Sequence, residues 1–410
     1  MGLYCGIDWA SDHHDVAVVD DDGRVVARGR VGNNAAGFAR LLTLLAEAGD
    51  SPEDPFPVGI ETDHGLWVAA LRETGRVIYP INPLAASRYR ARYAVSGAKS
   101  DATDAVLLAN IVRTDAGAHR PLPADTELAQ TIRVLARAQQ DAVWARQQIG
   151  NQIRDLLNDF YPAAIIAFAE LPSGGLARPD ARAILAAAPT PGAAAKLTPA
   201  RLRRLLVKAG RRRDLDRDVE RLRAVFTDTY LHQPPMVENA MGIQLGALLR
   251  QFEAACAAAE QLAEAAIAHF EQHPDAAIIT SFPGLGSLAG ARVLAEIGDD
   301  RSRFADARGL KAFAGSAPIT RASGRNSVVT HRHIKNRRLS AVGQIWALGS
   351  LRASPGARRH FDTRRAAGDW NRQAQRHLFN KFLGQLHHCL QTGQHYNEHR
   401  AFPPPLQRAA

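Results

Sequence analysis

The sequence predicts an α/β amino-terminal domain, a long helical middle region and a mainly α-helical carboxy-terminal domain. Three observations lead to this prediction. Over residues 1–123, short apolar runs alternate with helical patterns, which is typical of an α/β domain. Over 124–275, apolar residues recur at three- and four-residue steps, as in amphipathic helices. Over 276–395, helical patterns continue while Arg and Lys accumulate.

The amino-terminal region is expected to open with an antiparallel hairpin. Asp21-Asp22-Gly23 is a tight-turn signal between two apolar runs. A helix is expected to begin at Asn34 and to end near Gly49. The expected strands are residues 4–9, 14–19, 24–28, 57–61 and 76–79, and a further helix is expected over 65–74.

The middle region is expected to contain two long helices, over 124–160 and 240–272, with shorter helices between them. Neither long segment keeps a strict heptad of apolar residues, so a helical hairpin or coiled-coil arm and a packed helical bundle both remain open. The end of the chain, residues 396–410, contains three consecutive prolines and is expected to be disordered.

Charge and composition narrow the functional classes. The chain has 410 residues, a formal net charge of +10 and 46% hydrophobic residues, which is ordinary for a globular protein. Between 320 and 382 there are 14 Arg or Lys residues against two acids, so the positive charge is concentrated there. A concentrated basic region favours a nucleic-acid partner.

Other classes are disfavoured by composition. The three cysteines form no Cys-x-x-Cys pair, which argues against a cysteine zinc site and against a disulfide framework. No apolar run approaches the roughly 20 residues that span a bilayer. We therefore expect a cytoplasmic, nucleoid-associated protein with no membrane partner.

Four acids are candidates for a metal site. Asp8 lies inside the first strand, Glu61 ends the fourth, and Asp101 and Asp104 open a helix three residues apart. In an RNase H-like fold the first and fourth strands are neighbours, and a helix can add its own acid. Carboxylates that converge in this way require a cation to offset their repulsion. Oxygen ligands suit Mg²⁺ or Mn²⁺, and two such ions about 4 Å apart stabilise phosphoryl transfer.

Each acid also has a structural interpretation. Asp101 is a possible helix cap and Asp104 a first-turn acid favoured by the helix dipole. Glu61 is a possible solvated strand end. Asp8 is the hardest to explain structurally, because a carboxylate in the middle of a strand costs free energy unless it has a role.

The motifs that carry these acids resemble those of a known family. Gly6-Ile7-Asp8, Gly59-Ile60-Glu61 and Lys99-x-Asp101-x-x-Asp104-Ala105 are similar to the RuvC-like domain of the DEDD transposases of insertion-sequence family 110. Downstream, Phe282-Pro283-Gly284-Leu285-Gly286 and Ser323-Gly324 resemble the same family's carboxy-terminal transposase domain. One departure is Ala10-Ser11, where many relatives carry Lys shortly after the first Asp.

The resemblance implies a recombinase that excises and inserts its own element. It also implies guidance by a structured RNA that pairs with target and donor DNA. Since strand exchange holds several cut ends together, a dimer or tetramer is expected.

By resemblance, Ser323 is the nucleophile that becomes linked to a DNA phosphate. Arginines bind phosphate and stabilise transition-state charge, and the basic residues expected to contact nucleic acid are Arg321, Arg325, Arg332, Lys335, Arg337 and Arg338. An ordinary Ser-Gly turn is the competing interpretation. Ser327 is the rival nucleophile if the alignment slips, whereas Ser316 lies in an apolar run and is expected to be structural.

The turn that contains Gly284 and Gly286 resembles a helix–hairpin–helix turn, whose backbone N–H groups bind phosphate without reading sequence. A plain turn between helices is an equally good interpretation.

Two other functions remain open at this point. A RuvC-type nuclease would use the four acids and a metal-activated water, without a serine intermediate. A non-catalytic nucleic-acid-binding protein would need neither the acids nor the serine. A sugar-kinase-like ATPase also begins Gly-Ile-Asp, but the chain lacks the second Gly-rich phosphate loop of that class.

Overall fold

A computed structural model describes residues 2–93, 101–168, 175–324 and 326–403, with the backbone alone at 92, 93, 101, 102 and 321. The chain divides into two compact units, Met1–Ala124 and Asp125–Ala410. No helix in the described ranges has an apolar run long enough to span a membrane.

The first unit contains a five-stranded sheet of order β3-β2-β1-β4-β5. β1 pairs antiparallel with β2 and parallel with β4, so the first and fourth strands are neighbours. The RNase H-like prediction requires this arrangement, and the fold family itself stays a prediction. The strands are β1 Leu3–Trp9, β2 His13–Asp20, β3 Val25–Gly32, β4 Val58–Ile60 and β5 Ile78–Pro80.

Helices pack against this sheet and are capped by their sequence. Asn34 accepts a hydrogen bond from the Gly37 backbone N–H at 2.8 Å, which satisfies one free donor at the start of α1. The helices are α1 Ala35–Glu47, α2 Leu66–Glu73, α3 Pro83–Tyr93 and α4 Asp101–Asp115, followed by a 3₁₀ turn, Ala116–Ala118. α3 was not among the elements that the sequence predicts.

The two faces of the sheet are covered differently. Cys5 and Ile7 of β1 belong to a buried cluster with Leu41 and Leu45 of α1. Because side chains alternate along a strand, Gly6 lies on the opposite face. There, a Cβ on Gly6 would overlap the backbone of Ala105 in α4. The glycine therefore lets α4 lie directly on the sheet.

The second unit is mainly helical. Its two long helices, α5 Glu127–Phe160 and α11 Pro235–Phe270, pack against each other. The end of α5 and the first part of α11 share a buried cluster with the short helices that connect them. The middle region is therefore a helical hairpin covered at one end by a small bundle. The short helices are α6 Pro162–Phe168, α7 Pro179–Ala187, α8 Pro191–Ala195, α9 Pro199–Lys208 and α10 Leu215–Thr227, with a 3₁₀ turn, Gly175–Ala177.

The remaining elements surround a second core that includes Phe282, Trp346 and Phe382. A β-hairpin interrupts the helices, which a mainly α prediction does not anticipate. These elements are α12 Ala276–Thr280, α13 Ser287–Ile297, α14 Ala307–Phe313, β6 Ile319–Ser323, β7 Asn326–Thr330, α15 Arg337–Ala353, α16 Pro355–Ala366, α17 Asn371–Thr392 and α18 Glu398–Ala401.

The predicted disordered tail, 396–410, is wrong for its first part. The Tyr396 hydroxyl donates to Glu398 at 2.7 Å, and Phe402 is 7% exposed within the core. The three prolines suggested disorder, but the aromatic residues before them bury enough apolar surface to order this segment. Residues 404–410 lie outside the described ranges.

The coarse prediction of an α/β amino-terminal part followed by a mostly helical remainder is confirmed.

Candidate functional site

Two of the predicted acids follow neighbouring parallel strands. Ile7 of β1 is in register with Ile60 of β4, and the next residues in that register are Asp8 and Glu61. Each acid comes two residues after a glycine that faces α4, so alternation places both acids on the α4 side of the sheet. Two carboxylates therefore lie at one edge of the sheet.

The helix that carries the other two acids points towards the same edge. Arg113, near the end of α4, donates to the Asp21 carbonyl at 2.9 Å, and Asp21 follows Asp20, which pairs with Leu3 at the start of β1. α4 therefore runs antiparallel to β1, with its amino-terminal end beside the end of the strand. Ala105 packs on Gly6, and Leu108 packs on Gly59.

The spacing of the helix matches that of the strands. Four helical residues rise about 6 Å, and two strand residues rise about 6.6 Å. One turn before Ala105, the backbone of Asp101 is level with Asp8. One turn before Leu108, Asp104 is level with Glu61. The side chain of Asp101 lies outside the described ones.

Asp104 is held by an arginine from α3. Its carboxylate is 4% exposed and accepts hydrogen bonds from Arg90 Nε at 3.1 Å and Nη2 at 2.6 Å. A buried carboxylate requires such a partner. Both hydrogen bonds go to the same carboxylate oxygen, Oδ1.

A further acid lies in the same row, within the strand that the sequence predicts over 14–19, but it was not among the predicted site residues. Asp15 lies in β2, is in register with Asp8, and is 7% exposed. Arg30 of β3 donates to it through Nε at 3.1 Å and Nη2 at 2.8 Å. Its position inside an otherwise apolar predicted strand was the signal that could have added it to the candidate acids.

These residues fit a divalent cation by their chemistry, since Mg²⁺ and Mn²⁺ prefer oxygen ligands. Among the side chains that the structure describes, a set without Asp101, no three His, Cys, Asp or Glu residues are close enough to hold one ion.

The predicted nucleophile lies at the tip of a solvent-exposed hairpin. Ser323 is the last residue of β6, is in register with Asn326, and is exposed. Gly324 follows with φ +57°, in the left-handed region that favours glycine. The hydroxyl is therefore open to a large substrate.

The two rival serines are in different environments. Ser316 is 4% exposed, donates to the Lys311 carbonyl at 3.2 Å and accepts from Asn380 at 3.1 Å, which is a structural role. Ser327 is exposed and pairs with Ala322, so it lies on the ribbon face opposite Ser323.

The predicted basic residues are not equivalent. Lys335 and Arg337 are exposed, and Arg332 is half-buried. Arg338 packs over the Trp144 ring at 5.1 Å and donates to Asp141 at 2.9 Å, so it joins α15 to α5. The Arg321 side chain and Arg325 lie outside the described residues.

The segment that leads from the β6–β7 hairpin to α15 is held at Asn336 by a buried carboxylate. Glu296 of α13 is 2% exposed. It accepts two hydrogen bonds from Arg137, each at 2.8 Å, and one from Asn336 at 2.6 Å. Asn336 also caps α15 by accepting from the Leu339 N–H. Burial alone would raise the pKa of Glu296, but the hydrogen bonds from Arg137 and Asn336 lower it below its ordinary value.

The glycine turn has a packing explanation. Gly284 has φ +77°, and a Cβ there would overlap the backbone of Ser350 in α15. Gly286 has open space around it and caps α13, whose Ser287 hydroxyl donates to Glu271 at 2.8 Å. Phosphate binding by this turn stays a prediction.

Two family models match separate parts of the chain. A model of DEDD transposases of the IS110 type, described as a transposase, matches residues 5–162. A model described as the transposase IS116/IS110/IS902 family matches residues 276–362. The two matches contain Asp8, Glu61, Asp104 and Ser323, and both ends of the chain are thus similar to transposases.

Curated relatives extend the similarity over the whole chain. A mini-circle putative transposase for IS117 from Streptomyces coelicolor is 61% identical over 410 residues, which is 100% of this chain and 99% of that protein. An uncharacterized 42 kDa protein of insertion element IS900 from Mycobacterium paratuberculosis is 26% identical over 100% of this chain and 99% of its own length.

Proposed function

The chain belongs to the IS116/IS110/IS902 family of transposases and is a DNA recombinase, and on that premise we propose that it cuts and rejoins DNA through a covalent serine–DNA intermediate. In this proposal, Asp8, Glu61, Asp101 and Asp104 hold Mg²⁺ or Mn²⁺, and Ser323 is the nucleophile.

The observation that carries the acid site is the register of β1, β4 and α4. It brings Asp8 and Glu61 level with the first turn of α4. This arrangement joins three segments that are distant in the sequence. A bound divalent cation would supply charge stabilisation for the phosphate at this edge. The carboxylates of Asp8, Glu61, Asp101 and Asp104 would hold this cation.

The serine step conserves the phosphodiester bond energy. The Ser323 oxygen forms a bond to phosphorus, and the bond from phosphorus to the departing DNA oxygen breaks. The serine proton is lost, and the departing oxygen becomes a free DNA hydroxyl. In rejoining, a DNA hydroxyl attacks the phosphoserine and Ser323 regains its proton. No other co-reactant is required.

The family resemblance extends the proposal to a structured guide RNA and to a dimer or tetramer. The concentrated positive charge between 320 and 382 is suited to a polyanion such as DNA or RNA. Exchange of four strand ends also requires more than one nucleophile.

The experiment compares covalent products of three proteins. Wild type, Ser323→Ala and Ser327→Ala are incubated with element-end DNA, RNA from the element's non-coding end and Mg²⁺. We expect a protein–DNA adduct on a denaturing gel for wild type and Ser327→Ala, and none for Ser323→Ala. Ser327 is a matched control because it is exposed on the same hairpin but faces the other way.

The acids are tested in the same reaction with Asp8→Asn. We expect the adduct to fall at least 100-fold while the melting temperature stays close to wild type, because the residue is half-buried at the end of its strand. An adduct that survives Ser323→Ala contradicts the serine assignment, and cleavage without any adduct points to a RuvC-type nuclease.

A further inference from the structure

A basic cleft lies where the Ser323 hairpin joins the helical core. Its volume is about 390 Å³, and it is formed where β7 ends, at the start of α15 and along the first turns of α17. Phe379 packs against Gly343, and the buried Ser316 also lines the cleft. The residues that carry the argument are His331, Lys335, Arg372, Gln375 and Arg376.

Three cationic side chains from two segments line the cleft. Lys335 comes from the segment before α15, Arg372 and Arg376 from α17, and His331 from the end of β7. No acidic residue is among the described residues that line the cleft. The pKa of His331 is lowered, first by the neighbouring His333 and also by Arg376 and Lys335, which favours the neutral imidazole, so the positive charge of the cleft comes from the lysine and the two arginines. The first turns of α17 add the positive end of the helix dipole.

An exposed aromatic side chain is close in sequence to two of the cleft residues. Trp370 is 81% exposed and caps α17 two residues before Arg372. Asp369, the acid next to it, is held by Arg364 at 2.5 Å, so it does not cancel the charge of the cleft. Exposed aromatic rings and cations together bind single-stranded nucleic acid, because bases stack on the ring while cations hold the backbone, and Trp370 is two residues from Arg372 in the chain.

We propose that this cleft binds the phosphate backbone of a single DNA strand, the one that Ser323 attacks, and that Trp370 stacks on a base of that strand. The inference rests on the proposed function, which makes DNA the substrate of Ser323. His331 lies five residue steps after Asn326, the partner of Ser323, which is about 17 Å along a strand. At about 3.4 Å per stacked nucleotide, the cleft lies about five nucleotides from the attacked phosphate.

The test measures how salt weakens binding. The probes are a mixed-sequence 20-nucleotide single-stranded DNA, the RNA of the same sequence and the DNA duplex, each followed by fluorescence anisotropy. The proteins carry Ser323→Ala so that no adduct forms. Removing two phosphate contacts with Arg372→Ala and Arg376→Ala should reduce the slope of log affinity against log salt by about 1.4 for single-stranded DNA.

The control is the double variant Arg201→Ala and Arg204→Ala. Both side chains are exposed on α9, so the change in net charge is the same, and we expect no change in slope. Gln375→Glu places a carboxylate in the cleft without truncating a side chain, and it should weaken binding with an unchanged melting temperature. Trp370→Ala should weaken single-stranded DNA binding about fivefold or more and leave the duplex nearly unaffected.

The outcomes separate this inference from the proposed function. A lower slope in the cleft variant supports the cleft even if wild type forms no adduct with element ends. Equal slopes in the cleft and control variants overturn the cleft, even if the adduct forms through Ser323. A loss of RNA binding with unchanged DNA binding also overturns it, because the strand bound would then be RNA.

Discussion

The close packing of α4 on the sheet can be tested with a graded set of glycine substitutions. A Cβ on Gly59 would lie 2.7 Å from the Leu108 carbonyl oxygen and 2.8 Å from Val112 Cγ2, whereas ordinary contacts begin near 3.4 Å. α4 must therefore retreat by a sizeable fraction of an ångström. Overpacking of this kind costs about 1–3 kcal/mol. Gly6→Ala is expected to cost more, because its Cβ would overlap the Ala105 backbone.

Gly117→Ala is the matched control. Gly117 lies in the same unit, and a Cβ there meets nothing within 4 Å. Neither Gly6, Gly59 nor Gly117 has a positive φ, so the three substitutions differ in available space and not in backbone strain. We expect Gly117→Ala to leave stability unchanged or to raise it slightly.

The assay uses a buried thiol next to the substituted strand pair. Cys5 is fully buried, which raises its pKa to about 12, and it is in register with Val58. Alkylation of Cys5 therefore requires the sheet to open. A loss of 1–3 kcal/mol should speed its labelling about 5- to 150-fold, read by peptide mass spectrometry. Cys256 and Cys389, buried in the other unit, provide internal controls in the same sample.

The expected order of Cys5 labelling is wild type and Gly117→Ala slowest, Gly59→Ala faster and Gly6→Ala fastest. If Gly6→Ala and Gly59→Ala label no faster than Gly117→Ala, α4 does not pack on these glycines. The alignment of Asp101 with Asp8 and of Asp104 with Glu61 would then lose its basis.

Three further predictions concern the second unit. Glu296→Gln should lower the free energy of unfolding at pH 7, and the difference from wild type should shrink as the pH falls through the lowered pKa of Glu296. A depressed acid pKa contributes stability above the pKa of the unfolded state, and this contribution is lost below the pKa of the folded state. Urea unfolding at several pH values measures the difference, and a difference that does not change with pH would contradict the prediction. Gly284→Ala should cost about 2 kcal/mol through its positive φ and its contact with Ser350, whereas Gly286→Ala should stay within about 0.5 kcal/mol; equal losses would show that Gly284 is not required for packing. Phe402→Ala should cost about 3 kcal/mol, because the ring packs on Phe382 and lies 4.5 Å from Lys381 Nζ; an unchanged melting temperature would restore the disordered-tail prediction.

The amino-terminal elements were predictable because their signals are local. The Asp21-Asp22-Gly23 turn, the apolar run in β2 and the Asn34 cap each lie within a few residues of the element they specify. The β6–β7 hairpin was not predicted, because Arg-rich and Ser-rich residues surround it and its side chains are largely exposed. Without a buried face, a strand has little hydrophobic periodicity to detect.

The residues of the candidate site likewise fall into those that local sequence could identify and those that only the folded arrangement revealed. Asp8 could be singled out from sequence, because a carboxylate inside an apolar strand is costly. Asp15 was overlooked, since its partner Arg30 is distant in sequence and pairs with it only when β2 and β3 align. The Arg90–Asp104 ion pair and the cleft beside the serine hairpin also join residues from separate elements. Local sequence therefore could not predict them.

The sequence by itself determined the family, the identity of the candidate acids and serine, and the concentration of positive charge in the carboxy-terminal region. These properties are written in short motifs and in composition, which do not depend on how the chain folds. Only the tertiary structure decided which acids share one edge of the sheet, because strand register and the approach of α4 at Gly6 and Gly59 are set by packing between distant segments.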